Sequence, residues 1–264
     1  MQIDLSDKVT RVLVQEYVNK ICHFDTQEDL DWNVHKLIHT FDVVKMAQGL
    51  INHTRPKLSK GMQKHILDAA VLHDIGRCHE FKNGEHLRMV DHGKIGADLI
   101  KKYLPKMKIE AETTLRHNKL PSDKDPKDCR MVLNYVRDAD MLANISYQIA
   151  HIDIWLKHIF QYFPRAKGEI KIDEEVLCAV KERRPVKIER AKERTFLNMV
   201  LAQLCWYYGL KTKAAVQMAQ KEQFFVRFKR IICEKIVPEI TPVKKQQEQL
   251  VKKIEEIFPD KLFQ

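Results

Sequence analysis

An all-α fold is what this sequence predicts, and three observations carry the prediction. Apolar residues recur at a spacing near 3.6 through most of the chain, only 8 Gly and 9 Pro punctuate 264 residues, and Ser and Asp stand where helices would begin. An apolar content of 44% beside 31% charged residues is that of a globular protein, and so little Gly and Pro argues against both disorder and a turn-rich β fold. The length suffices to bury a full core, organised as one helical domain over residues 1–150 and a helical C-terminal extension over residues 151–264 packed on it.

No charge-free apolar stretch approaches the roughly 20 residues that a membrane span needs, and Met1-Gln2-Ile3-Asp4 lacks a basic-then-apolar leader. The expectation is a cytoplasmic protein. Six scattered cysteines, Cys22, Cys78, Cys129, Cys178, Cys205 and Cys233, form no C-x-x-C pair and read as buried thiols rather than a zinc knuckle or a disulfide scaffold. The net charge of +10 is uneven: from His151 onward 23 Lys and Arg face 15 Asp and Glu. That excess suits either an anionic partner or a solvated helical surface.

Taken in order, Ser6-Asp7 begins a helix that runs to about Cys22, with Val9, Val12, Leu13, Tyr17 and Ile21 on one face. Asp29 to Ile51 forms a second, with Trp32, Leu37, Ile38, Phe41, Val44 and Leu50 as its apolar stripe and His35, His39 and Asp42 interrupting it. Lys57 to Leu72 is the third, started near Ser59, and its apolar end Ile66 to Leu72 delivers His73-Asp74-Ile75-Gly76-Arg77. Cys78 to Val90, with His79, Glu80, His86, Arg88 and the turn signal Asn83-Gly84, reads as a loop over whatever His73 and Asp74 bind. Asp91 caps a fourth helix whose first turn holds His92, and Gly93 and Gly96 allow close backbone approach there.

Ile109 to His117 is a fifth helix ending in His117-Asn118-Lys119, followed by Leu120-Pro121 and a polar loop. Cys129 to Ile145 is a sixth, in which Arg137-Asp138-Ala139-Asp140 lie among inward-facing residues. A carboxylate bordering the core needs a partner. For Asp140 that is a metal or an ion pair with Arg137. Beyond Ser146, Ile149–Phe163, Asp173–Arg183, Ile188–Tyr208, Ala214–Ile236 and Val243–Ile257 read as amphipathic helices punctuated by Pro164, Pro185, Gly209, Pro238 and Pro242. The basic run Lys181 to Lys187 reads as a solvated turn, and Trp206-Tyr207-Tyr208 as core aromatics.

His39, His73-Asp74, His92, His117 and Asp140 thus each stand at a helix end or on a core-facing stripe. In that order they resemble the HD-domain metal-dependent phosphohydrolases, from about Trp32 to Ile145. The resemblance is closest to bacterial proteins with H-D-I-G-R, D-H-x-x-x-G, H-N-K and R-D-A-D-x-L elements. Here these are His73 to Arg77, Asp91 to Gly96, His117 to Lys119 and Arg137 to Leu142. After the doublet such relatives usually carry an aromatic and Gln, where this chain has Cys78-His79-Glu80; they often carry Lys and Asp where it has Met141 and Ala143.

The resemblance implies that His39, His73, Asp74 and Asp140 hold one metal and that His92 and His117 hold a second, with Asp74 bridging. Imidazole and carboxylate donors suit Mn, Fe, Co, Ni or Zn. Two such ions would activate a water and stabilise the leaving oxygen of a phosphoryl group. Asp74 with Arg77 and Lys119 are the expected catalytic residues, and Arg77, Lys94, Asn118 and Lys119 the expected substrate contacts. Arg137 is a candidate partner of Asp138 or Asp140.

The expected activity is hydrolysis of a phosphate ester in a nucleotide or another small phosphorylated metabolite. A nucleic-acid-binding protein or nuclease using the basic C-terminal helices is the alternative, although no nucleic-acid motif supports it, and a nucleotide sensor without turnover is a third. The sequence holds no indication of oligomeric state.

Overall fold

Side-chain caps set several of the helix starts. The computed structural model describes residues 7–24, 26–82, 85–86, 91–119, 125–162, 170–186 and 195–264. Within them α1 is Asp7–Cys22, α2 Gln27–His53 and α3 Lys60–Leu72. Thr26 accepts the Asp29 N–H to begin α2, and Ser59 accepts that of Met62 to begin α3. As expected, Asp91 accepts the Lys94 N–H and begins α4, His92–Tyr103. Then follow α5, Lys108–Arg116, and α6, Arg130–Ala150. Ser6, Asn83-Gly84, Arg88, Leu120-Pro121, Pro164, and Lys187 with the expected start at Ile188 lie outside the described residues.

Among the described residues, the segment after α3 carries short regular elements. Ile75–His79 forms a 3-10 turn, and β1 (Phe81–Lys82) pairs antiparallel with β2 (Glu85–His86), Phe81 opposite His86. These short strands are the only ones among the described residues, and the fold is all-α.

Backbone contacts divide the chain into two units, residues 1–143 with 211–215, and residues 144–210 with 216–264. In the first, α2 lies on α3, α4 on α5, and α3 on α5, around a core that includes Tyr17, Leu50, Ile66, Leu72, Ile100 and Leu133. From His39 on, the buried face of α2 is His39, Thr40, Val43, Val44, Ala47, Leu50 and Ile51, whereas Ile38 and Phe41 of the expected stripe are about half exposed. A helix read by hydropathy alone is rotated here because two polar residues, His39 and Thr40, take inward positions. Segment 211–215 is tied to this unit through Asp138, whose carboxylate accepts N–H bonds from Lys211 at 3.0 Å and Thr212 at 2.7 Å. Burial pushes that carboxyl up to about 6, against these same bonds.

The second unit contains α7 (Ile152–Tyr162), α8 (Glu174–Glu182), α9 (Phe196–Leu204) and most of α10 (Lys213–Lys221). It continues through α11 (Phe224–Ile231), α12 (Val237–Ile240) and α13 (Lys244–Ile257). The single helix expected over Ala214–Ile236 is broken at Gln223, whose φ of 52° is left-handed. Pro238 does not stop the chain's helical course: the widened π turn Ile232–Ile236 precedes it, and it stands in the first turn of the helix that follows. Tyr207, Phe225, Phe258 and Phe263 form an aromatic cluster here, whereas Trp206, Tyr207 and Tyr208, expected as core aromatics, are only half-buried. Arg184 is exposed and pairs with Glu175 and Glu182. Of the free cysteines, Cys78, Cys129 and Cys205 are buried, but Cys22 is exposed and Cys178 and Cys233 half-buried. No described helix is long and apolar enough to cross a membrane.

Candidate metal centre

The centre begins with the end of α3. Ile66 to Leu72 are all buried, so the next two side chains, His73 and Asp74, are delivered to a fixed place beneath the surface, 0% and 2% exposed. His73 donates its Nδ1–H to Ala70 O at 2.7 Å. That bond fixes the tautomer and leaves Nε2 as a bare lone pair. The atom is buried without a hydrogen-bond partner among the described residues, facing Asp74 Oδ2 at 3.8 Å and Asp140 Oδ1 at 4.0 Å.

α5 repeats the device. His117 follows its last turn, donates Nδ1–H to Thr114 O at 2.7 Å, and brings Nε2 to 3.2 Å from Asp74 Oδ1. His92 arrives from the first turn of α4 with Nε2 3.6 Å from the same oxygen and Nδ1 3.4 Å from Glu80 Oε1. Asn118 donates toward His92 Nε2 at 3.4 Å, so both neighbours favour the tautomer with the proton on Nδ1. From α2, His39 Nε2 reaches Asp140 Oδ1 at 3.0 Å and Asp74 Oδ2 at 3.9 Å.

Close backbone packing makes this convergence possible. A Cβ on Gly76 would lie 2.1 Å from His92 O, and one on Gly96 2.7 Å from Thr114 Cγ2. Only glycines let the turn after the doublet approach α4 closely enough to bring His92 to Asp74. From behind, Tyr17 of α1 donates its hydroxyl to Asp74 O at 3.0 Å.

Six side chains of the pattern, His39, His73, Asp74, His92, His117 and Asp140, are therefore gathered in one place. Two buried donor groups share Asp74: His39, His73 and Asp74, and Asp74, His92 and His117, with the ligand atoms of each group within 4.8 Å of one another. Imidazole nitrogens and carboxylate oxygens that converge this closely in a buried place are the environment of a cation, and these groups can hold a divalent metal.

The electrostatics agree. Burial lowers both His73 and His92 to about 4, keeping them neutral as ligands must be. Burial alone would raise the Asp74 carboxyl, but Arg77, His73, His117 and Lys36 hold it well below the usual carboxylate range. Asp140 is likewise depressed, burial being outweighed by His39 and His73.

The other expected site residues are placed differently. Arg77 lies at the centre, its Nε 3.2 Å from Asp74 Oδ1 and a terminal nitrogen 2.7 Å from Glu80 Oε1. Asn118 is half-buried beside His92, and Lys119 is exposed, near enough to Asp91 to help depress its carboxyl. Lys94 is 70% exposed and reaches Asp98 at 3.3 Å. Arg137 pairs with neither neighbouring aspartate: it bonds Asp125 at 2.6 Å and Arg116 O at 2.9 Å.

Two residues at the centre were not singled out as site residues from sequence. Lys36 places Nζ 3.8 Å from Asp74 Oδ2 and lies over the Trp32 ring; its signal is the spacing of three from His39 on one helix face. Glu80 was read only as a loop residue, although it stands three places after Arg77 in what proves to be a helical turn. Burial would raise its carboxyl, but His92 and Arg77 bring it to about 2.

Residues 37–145 match the HD domain. The matched segment runs from just before His39 to just past Asp140 and so contains all six gathered side chains. HD domains are all-α and are in general metal-dependent phosphohydrolases, which is the activity this region suggests. No curated protein and no solved structure matches the chain.

Proposed function

We propose that this protein hydrolyses a phosphate ester of a nucleotide or a similar small phosphorylated metabolite at a dinuclear HD site. The observation that carries the reading is the pair of buried donor groups with Asp74 in common. His39, His73, Asp74 and Asp140 would hold one ion, and His92, His117 and Asp74 the other. Donors of this kind, without thiolate, suit Mn, Fe, Co, Ni or Zn. When bound, such ions supply Lewis acidity, which acidifies water and draws charge from phosphoryl oxygens.

The chain's own part is positional and electrostatic. The Nδ1 bonds of His73 and His117 to carbonyls keep the Nε2 lone pairs aimed inward. Arg77 is fixed by Asp74 and Glu80, so its charge is preorganised beside the centre for negative charge developing on the phosphoryl group. Asn118 and the exposed Lys119 follow His117 directly and would meet the substrate from the rim, while Lys36 adds a second cation on the Asp74 Oδ2 side.

The test is release of phosphate and nucleoside from nucleotides, dinucleotides and cyclic dinucleotides with each of these metals or Mg, comparing the native protein with Asp74→Ala. Turnover by the native protein that is lost in the variant is the expected result, and the product gives the substrate class. Turnover surviving in Asp74→Ala overturns the assignment, as does a native protein that binds no metal.

A further inference from the structure

A second set of metal donors lies behind the doublet, on the other face of the turn that carries Arg77. Glu16 of α1, Cys78 and His79 present one oxygen, one sulfur and one nitrogen, all within 4.8 Å of one another. His79 Nε2 is 3.2 Å from Glu16 Oε2. Tetrahedral zinc with bonds of about 2.0–2.3 Å has ligand-to-ligand edges of roughly 3.3–3.8 Å, so this pair already stands close to one such edge. Cys78 is buried, Glu16 is largely covered and His79 is a third exposed, which leaves one open side for a solvent molecule as fourth ligand.

We propose that Glu16, Cys78 and His79 form a zinc site, separate from the Asp74 centre, that staples α1 to the turn Ile75–His79. The donor chemistry selects the ion: a thiolate with imidazole and carboxylate suits zinc, whereas the Asp74 centre contains no sulfur. Charge also balances, because Zn²⁺ with one thiolate, one carboxylate and a neutral imidazole is electrically neutral. On binding, the Cys78 S–H bond breaks and its proton passes to solvent as the Zn–S bond forms. The thiol's present partner, Ile75 O at 2.9 Å, is a weak bond to give up. The consequence is mechanical: α1 already supports Asp74 through Tyr17, and the staple fixes the same helix to the turn bearing Arg77.

The site can be read without any turnover. The full chain, stripped with a chelator and titrated with Co²⁺, is expected to develop a near-ultraviolet thiolate-to-cobalt charge-transfer band, which imidazole and carboxylate ligands cannot produce. The band should persist in Asp74→Ala, disappear in Cys78→Ser and weaken in His79→Ala, with Zn²⁺ displacing Co²⁺ and abolishing it. His79→Ala alters a partly exposed side chain, so it remains informative if Cys78→Ser fails to fold. Absence of the band in the native chain, or its survival in Cys78→Ser or unchanged in His79→Ala, overturns the proposal while leaving the Asp74 centre untouched.

Discussion

The two donor groups that meet at Asp74 are built from different material. His39, His73 and Asp140 come from α2, α3 and α6, helices of 27, 13 and 21 residues, and this side has a carboxylate of its own in Asp140. His92 and His117 come from the facing ends of α4 and α5, of 12 and 9 residues, and the only carboxylate they share is Asp74. Their alignment depends on glycine contacts with the Ile75–His79 turn and on Glu80 behind His92. A site anchored in long core helices with a balanced donor set differs from one that borrows its charge and rests on a turn. On the proposed function, the second side should hold its ion more weakly.

The largest test removes what both sides share. Asp74→Ala should empty both positions and lower hydrolysis by about 10³-fold or more, measured as metal per chain in a Cys78→Ser background beside turnover; one ion retained there at full affinity would show that the sides are independent. A change of pH acts on one histidine from each side. His73 and His92 are lowered from 6.5 to about 4 by burial, so between those values the unfolded chain binds protons that the folded chain does not. Their stability contribution is intact above pH 6.5 and lost as pH falls toward 4, on the order of 3 kcal/mol for each. Urea unfolding of metal-free protein at pH 7 and pH 4.5 reads the sum, and His92→Gln should remove one share of it.

Gly76→Ala strikes only the second side. Its Cβ would meet His92 O at 2.1 Å, so a loss of about 2 kcal/mol in urea unfolding is expected, with occupancy of the Asp74 centre falling from two ions toward one. The gentlest change is Glu80→Gln, which keeps the shape behind His92 but removes the charge. The second ion should bind about 10-fold to 100-fold more weakly, while the first is unaffected in a calorimetric titration.

That each of the six side chains stands where a helix begins, ends or turns inward was legible in the sequence from capping residues and apolar period; that they gather at one centre was implied by the resemblance to HD-domain proteins. Lys36 and Glu80 were within reach of the same reasoning, each being one helical turn from a residue already singled out. What was not legible depends on distant chain. Arg137 is claimed by Asp125 and the Arg116 carbonyl rather than by its neighbours, and the inward turn of His39 that exposes Ile38 and Phe41 is set by Asp140 as much as by hydropathy. Gln223 carries no residue signal for a left-handed break, and the π turn that carries the chain past Pro238 is a backbone solution that residue types do not announce.

The bonds from Lys211 and Thr212 to Asp138 bear on how the polypeptide can be cut. The first unit is not a continuous stretch of sequence, since residues 211–215 belong to it. A truncated fragment ending at residue 150 would contain every side chain gathered around Asp74, yet it would deprive a buried carboxyl of the N–H donors that hold it. Proteolytic trimming or domain excision should therefore soften α6 at Asp138, two residues from Asp140, and an excised first unit would need a short graft of the 211–215 segment to keep its shape.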